Sequence, residues 1–365
     1  MSEARNRQWV LKRRSKDPVR PSIFRWTEGP VPVPRDGQAV GRNLWLSYDP
    51  TQIFFLTPDG GPEAAPVGGV IPAYGVTQIV ASRRSDVAVG DLVFAHIGWS
   101  DYSVLRGRGA PTGMPPMERI DPSVDPRLAA GTFGFTGMAA YFGVEAIARP
   151  RRGETFVVSG AAGGVGSVAG QIARIHGLKV VGITGGPEKA KRLVRDLGFT
   201  AAIDYKSENV AARLSKLCPE GIDIYFDNVA GPILDHALER LRPHGRVVLC
   251  GITSIYLLDD YPPGPKRLVS LILQNGRMEG FMARDYAAQF PEARRVLGGW
   301  IRSGKLRSAE DVVEGLEHAP EALSRLFSGG NFGKQMLHIA DPPLPLRRRP
   351  GSAPRARGRP SRSRR

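Results

Sequence analysis

Apolar positions change their spacing partway along the chain. In the first third, short runs rich in valine, isoleucine, phenylalanine and tyrosine, "QAVGRNLWLSYDP", "GGVIPAYGVTQIVAS" and "VAVGDLVFAHIGWSDYSVL", are broken by glycine and proline. That pattern predicts an all-β unit, with "SDVAVGDLVF" a turn feeding a strand. From about residue 126 apolar residues at helical spacing alternate with short β-branched runs, which predicts βαβ units and a parallel sheet. Strands are expected near 156–159, 179–183, 201–204, 222–227, 246–251 and 278–283, with helices between them, several stopped at Gly177, Gly198 and Gly245. Between about 300 and 340 the pattern is mixed, with "EDVVEGLEHAPEALSRLF" read as helix and "GKQMLHI" as a final strand.

One junction in the second pattern carries chemistry. In "FVVSGAAGGVGSVAGQIARIHG", residues 156–177, a β-branched run passes through small residues into Val165, Val168, Ile172 and Ile175 at helical spacing. Strand, tight turn and helix in that order form the first turn of a Rossmann unit. One small residue permits the turn, a second lets backbone amides approach a pyrophosphate, and a third lets helix and strand pack closely. Ala161-x-Gly163-x-x-Gly166 fits, with alanine in the first place. The second strand, "VVGITGGPEKAKRL", ends without the acid that would hold the ribose hydroxyls of NAD, and Lys189, Lys191 and Arg192 follow. A carboxylate there would repel a 2′-phosphate and lysine attracts it, so NADP is favoured over NAD.

Composition narrows the field. A chain of 365 residues, 41% hydrophobic, is long enough for two domains. No run reaches the roughly 18 to 20 apolar residues of a membrane span, and the start has no apolar stretch of a leader, so a cytoplasmic location is expected. Cys218 and Cys250 lack the spacing of a zinc site, and the six histidines are scattered, so no metal site is expected. The net charge of +16 invites a nucleic-acid reading, but nine arginines fall in residues 342–365 and the rest of the chain carries +7. That Arg/Pro/Ser-rich tail is expected to be disordered, with weak, non-specific, salt-sensitive polyanion binding as its only nucleic-acid role.

Taken together, "NRQWVLKRR", "NLWLSYDP", "GWSDYSV", "GGPEKAKRLVRDLGFTAAIDYKSE", "GIDIYFDNVAGPILD", "GRVVLCGITSIY", "RMEGF" and "NFGKQ" resemble the zinc-independent medium-chain reductases. The resemblance is to the leukotriene B4 dehydrogenase/prostaglandin reductase group and its alkenal and curcumin reductase relatives. It spans about residues 5–340 and implies an α/β fold: a GroES-like β domain from 1–125 completed by about 300–340, and a Rossmann doubly wound domain from 126–300. It further implies NADPH-dependent reduction of the C=C bond of α,β-unsaturated aldehydes and ketones, by a homodimer.

The same resemblance places pyrophosphate on Ala162, Gly163, Gly164, Val165 and Gly166, and the 2′-phosphate on Lys189 and Tyr205. Asn228 and the run Cys250, Gly251, Ile252, Thr253 and Ser254 would lie beside the cofactor, Phe281 and Asn331 near the nicotinamide, and Tyr256 near the substrate carbonyl. Three departures stand out. Relatives usually read "DNVGG" where this chain has Ala230, follow the tyrosine with a shorter loop than "YLLDDYPPGP", and carry tyrosine and arginine where Thr51, Gln52 and Ile53 stand.

The expected chemistry is hydride delivery to the β-carbon of an enone, with Tyr256 and a cofactor ribose hydroxyl donating to the developing enolate oxygen and water protonating the α-carbon. Asp259 and Asp260, in the Pro-rich loop, read as solvated rather than catalytic. A quinone reductase of the same fold, and a dinucleotide-dependent protein whose basic tail binds nucleic acid, are the alternatives. A zinc alcohol dehydrogenase is the weakest of them, because the early segment lacks a Cys/His cluster.

Overall fold

The computed structural model describes residues 5–57, 64–106, 117–258 and 262–347. Strands β1 (Arg5–Leu11) and β2 (Phe24–Pro30) form an antiparallel hairpin in which Trp9 lies opposite Trp26, ring edge against ring face at 5.3 Å. Next come β3 (Gln38–Ser47), β4 (Pro72–Ser82), β5 (Leu92–Gly98), β6 (Tyr102–Arg106) and β7 (Glu118–Ile120), five strands of a seven-stranded sheet with β7 at one edge. Helices α1 (Pro126–Ala130) and α2 (Phe135–Phe142) then lead out of it.

Six parallel strands follow: β8 (Thr155–Val158), β9 (Lys179–Thr184), β10 (Ala201–Asp204), β11 (Ile222–Asp227), β12 (Leu241–Leu249) and β13 (Arg277–Gly280). Their order in the sheet is β10-β9-β8-β11-β12-β13, the doubly wound order, which reverses direction between β8 and β11. Connecting helices α3 (Gly164–Ile175), α4 (Pro187–Leu197), α5 (Val210–Leu217) and α6 (Gly231–Leu238) cover its faces, with the short α7 (Val269–Leu273) before β13. Because side chains alternate along a strand, Phe156 and Val158 of β8 pack with Val168 and Ile172 of α3, whereas Val157 packs with Ile203, Leu214 and Tyr225 on the other face. Truncating a fully buried residue such as Ile172 to alanine would cost about 2–5 kcal/mol.

After α8 (Phe290–Arg302) the chain returns to the first sheet. There β14 (Glu310–Glu314) pairs with β15 (Lys334–His338), on either side of α9 (Ala319–Phe327), and β15 lies antiparallel to β3. The seven-stranded sheet is therefore assembled from both ends of the chain, with the parallel sheet between them in sequence. The two meet where the N–H of Gly333 donates to the carbonyl of Ala162 at 2.7 Å, beside a bridge between Gly163 and Gly333.

Three local expectations change. Gly245 does not stop a helix: α6 ends at Leu238, and Gly245 lies inside β12. Here Pro243 lacks an N–H and His244 adopts φ 61°, so the register against β11 jumps between Ile222 and Ile224 and the strand bulges. "EDVVE" is a strand rather than the start of a helix, because Met336 and Leu337 of β15 give Val312 and Val313 ladder partners that no local pattern reveals. Finally, residues 342–347, placed in the tail on composition, lie against the β sheet. The side-chain amide of Gln78 pairs in both directions with the backbone of Leu344, at 2.8 and 3.0 Å, and Leu346 packs beside Leu92 and Phe94. The rest of the tail, and Asp259 and Asp260, lie outside the described residues.

Candidate functional site

The site begins at the reversal of strand order, where β8 turns into α3. Within the turn the Gly163 N–H donates to the Gly160 carbonyl at 2.9 Å, and α3 opens with first-turn amides that have no partner inside the helix. A Cβ on Gly166 would sit 2.4 Å from the Gly160 carbonyl oxygen and 2.8 Å from Ala161 Cα. Both are backbone atoms that cannot yield, so the third glycine is a requirement of helix–strand packing. A Cβ on Gly164 would meet Thr136 Cγ2 at 2.6 Å, because α2 and β15 close over the turn. The result is a cradle of backbone donors at a helix N-terminus, with the shape and polarity that a pyrophosphate needs.

At the far end of β9, Thr184 is followed directly by glycine. A Cβ on Gly185 would lie 3.0 Å from Lys206 Cε and from the Tyr205 ring, so both side chains close over that point. Lys189 donates to the Gly329 carbonyl at 2.5 Å. Burial lowers the pKa of its ammonium, and the neighbouring Lys206 charge lowers it further, against an opposing pull from Asp311. A cationic corner of this kind is relieved by an anion. The acid at the end of β10, Asp204, accepts from the Gly186 N–H at 2.6 Å, the Lys206 N–H at 3.1 Å and the Ser207 hydroxyl at 2.7 Å, so it shapes the loop instead of facing a ribose.

Between these ends the floor is built on buried Asp227. Its carboxylate accepts from the Ser159 hydroxyl at 2.7 Å, the Tyr225 hydroxyl at 3.0 Å and the backbone of Val229 and Ala230. Asn228 donates from Nδ2 to the Ser159 carbonyl at 2.8 Å. Thr253 and Ser254 fold back so that their hydroxyls donate to the carbonyls of Asn228 and Val229. Burial pushes the Cys250 thiol up to about 12, so it stays protonated and does not serve as a nucleophile.

These parts line one cleft of about 960 Å³ between the two sheets. Ala162 to Gly166, Lys189, Tyr205, Asn228, Cys250, Gly251, Thr253, Ser254, Tyr256, Phe281 and Asn331 all border it, and Ile252 does not. Asn331 is buried, its Nδ2 donating to the Gly333 carbonyl at 2.8 Å. Tyr256 meets Phe54 edge to face at 5.6 Å. Tyr74, which also lines the cleft, lies edge-on to Phe135 at 5.1 Å and stacks on Phe94, making an aromatic wall.

Several lining residues were not singled out from the sequence. Lys206 stands in the quoted "DYK" and Lys334 in "NFGKQ", so their motifs were visible although their roles were not. Tyr74 and Phe135 had no signal, since each is one apolar position among many in its element. Lys334 is 4% exposed, with Nζ donating to the Tyr48 carbonyl and to Asp49 Oδ1, each at 2.6 Å. Burial lowers its pKa and Asp49 opposes that. The same Oδ1 accepts from the Thr136 hydroxyl at 3.0 Å.

Comparison with known proteins agrees with this architecture. Residues 7–112 match the family model "N-terminal domain of oxidoreductase" and residues 164–298 match "Zinc-binding dehydrogenase". Among the described residues no three His, Cys, Asp or Glu side chains come together to hold a metal ion. The chain is 36% identical over 344 residues to the NADPH-dependent curcumin reductase of Escherichia coli, covering 92% of this chain and 97% of that protein. It is 38% identical over 305 residues to the 2-alkenal reductase (NADP(+)-dependent) of Nicotiana tabacum, covering 82% and 87%. The crystal structure of CurA in complex with NADPH from Vibrio vulnificus superposes with a TM-score of 0.83 at 35% identity, over 92% of this chain and 99% of that one. With identity of this level across nearly its whole length, sheet order and phosphate turn included, the chain belongs to the zinc-independent medium-chain dehydrogenase/reductase family.

Proposed function

We propose that this protein reduces the C=C bond of α,β-unsaturated ketones or aldehydes, with NADPH as cofactor. One observation carries the reading: a backbone turn of small residues at a helix N-terminus, a lysine-lined corner and a tyrosine beside aromatic rings all border one cleft. The residues fit the cofactor. A side chain on Gly164 or Gly166 would collide with Thr136 or with the Gly160 carbonyl and push the turn out of the shape that presents its amides, and the corner of Lys189, Tyr205 and Lys206 suits a 2′-phosphate. Bound there, NADPH supplies the hydride.

The protein's part is orientation and field. Tyr256, held against Phe54 at the cleft wall, donates its phenolic hydrogen toward the carbonyl oxygen on which negative charge develops. Tyr74 and Phe135 form an apolar wall that excludes water and packs a flat conjugated substrate. Water protonates the α-carbon.

A homodimer belongs to the same reading. β13 is the edge of the parallel sheet, and beside it α7 exposes Ile272 at 78% and Leu273 at 72%. An unpaired strand edge next to apolar side chains is a surface that a second copy would cover. Two unpaired cysteines suit a cytoplasmic location, and no helix among the described residues is long and apolar enough to cross a membrane.

The activity is tested by mixing the protein with NADPH and, separately, NADH against a panel of enones, enals and quinones, following loss of the reduced-nicotinamide absorbance and weighing products by mass spectrometry. NADPH-dependent gain of two hydrogens across the C=C bond is the expected result. Reduction of quinones with no enone turned over would overturn it.

A further inference from the structure

Lys334 has a place that neither fold nor surface chemistry requires. A lysine buried to this degree costs desolvation that a methionine of similar length would avoid. Its counter-ion Asp49 and its other acceptor, the Tyr48 carbonyl, both lie just beyond β3, so those bonds stay within the seven-stranded sheet's own unit. Its stem does not: a Cβ on Gly164 would stand 3.2 Å from Lys334 Cδ and 3.4 Å from its Cα. The preceding residue, Gly333, is bonded to Ala162 of the phosphate turn. Asp49 also receives Thr136 of α2, the helix whose side chain packs on that same Gly164. Two of the ammonium's three donors are placed among the described residues, and Lys334 borders the cleft.

We propose that Lys334 is a cofactor-binding residue whose remaining N–H recognises the stretch from pyrophosphate to nicotinamide ribose, with Asp49 and Thr136 holding the ammonium in place. This rests on the NADPH reading given above and adds to it a second cationic contact in the cleft that Lys189 also lines. The two lysines thereby divide the cofactor: Lys189 reads the 2′-phosphate that distinguishes NADPH, and Lys334 reads the part that NADPH and NADH share. A buried charge is suited to the shared part because its Coulombic pull is little screened by solvent.

The test is a set of binding titrations on the full-length chain, followed by calorimetry, with three probes: NADPH, NADH and adenosine 2′,5′-bisphosphate, which has the 2′-phosphate but neither the pyrophosphate bridge nor the nicotinamide ribose. Lys334→Met is expected to weaken NADPH and NADH by the same factor, about tenfold or more, and to leave adenosine 2′,5′-bisphosphate within about twofold of wild type. Lys189→Ala is expected to do the reverse, weakening NADPH and the bisphosphate while sparing NADH. Where Lys334→Met melts without a cooperative transition, Lys334→Gln, which keeps a donor for Asp49, is read by the same titrations. Unchanged NADPH affinity, or equal loss of all three probes, overturns the assignment and leaves Lys334 a structural latch. Wild-type protein that binds none of the probes would instead overturn the NADPH reading itself.

Discussion

The carboxylate of Asp227 accepts the backbone N–H of Ala230 from both of its oxygens, at 3.0 and 3.1 Å, and in doing so holds that alanine at φ 65° and ψ −152°. The region is essentially reserved for glycine, because a Cβ there crowds the flanking carbonyls. Asp227 is fully buried and already takes Ser159 and Tyr225, so it cannot release the turn. Ala230→Gly should therefore raise stability by about 1 kcal/mol net, strain relief exceeding the added freedom of the unfolded chain. Thermal melting should show a midpoint about 1–2 °C higher. A fall would mean that the alanine methyl packs usefully against its surroundings.

Lys206 should help select the cofactor, although it was not singled out from the sequence. Its charge contributes to lowering the pKa of Lys189, which places the two ammonium groups within repulsive range of each other and of a shared anion. Lys206→Ala should weaken NADPH by about tenfold and change NADH by less than about twofold, as measured by fluorescence titration. Equal loss of both would place Lys206 outside the 2′-phosphate corner.

Removing the Tyr256 hydroxyl isolates the proposed oxyanion contact. Tyr256→Phe keeps the edge-to-face packing on Phe54 and should lower kcat/KM for an enone by about a hundredfold, with NADPH affinity unchanged. Steady-state rates on both proteins decide it; a wild-type rate would transfer the role to another group.

One ion pair ties stability to pH. Glu145 raises the pKa of His176 through a 2.6 Å hydrogen bond, against partial burial that lowers it. A folded pKa above the unfolded value near 6.5 means that the stabilisation is complete below about pH 6.5 and disappears as pH rises through the folded value. The side chains are 34% and 28% exposed, so screening holds the effect under about 1 kcal/mol. Glu145→Gln should lose stability relative to wild type at pH 5.5 to 6 and match it near pH 9, in urea melts. A deficit of the same size at both ends would show that packing, not charge, is lost.

The exposed face of α7 should be covered by a second copy. Ile272→Asp should convert the protein to monomers in sedimentation velocity while the affinity for NADPH is kept, since no residue of α7 lines the cleft. A wild-type protein that already sediments as a monomer would remove the dimer from the reading.

Much of this was readable from residue order alone, for a physical reason. The β8 turn and α3 are local: consecutive residues set the period of burial, and the small residues of "GAAGGVG" leave one way for strand to enter helix, so the strand, turn and helix around Ala161-x-Gly163-x-x-Gly166 were identifiable without coordinates. The same holds for Gly198 ending α4 in a left-handed conformation, and for the missing acid after β9. The bulge at His244 and the strand character of "EDVVE" were hidden because each depends on a partner strand remote in sequence. So did Lys334, which nothing in "NFGKQ" marks as buried until Asp49, 285 residues away, is brought to its ammonium. Local pattern determined the two kinds of sheet and the phosphate turn; only the closing of one sheet's unit over the other decided which charges share the cleft, because that pairing is made by contacts between distant segments and by the low dielectric they create around them.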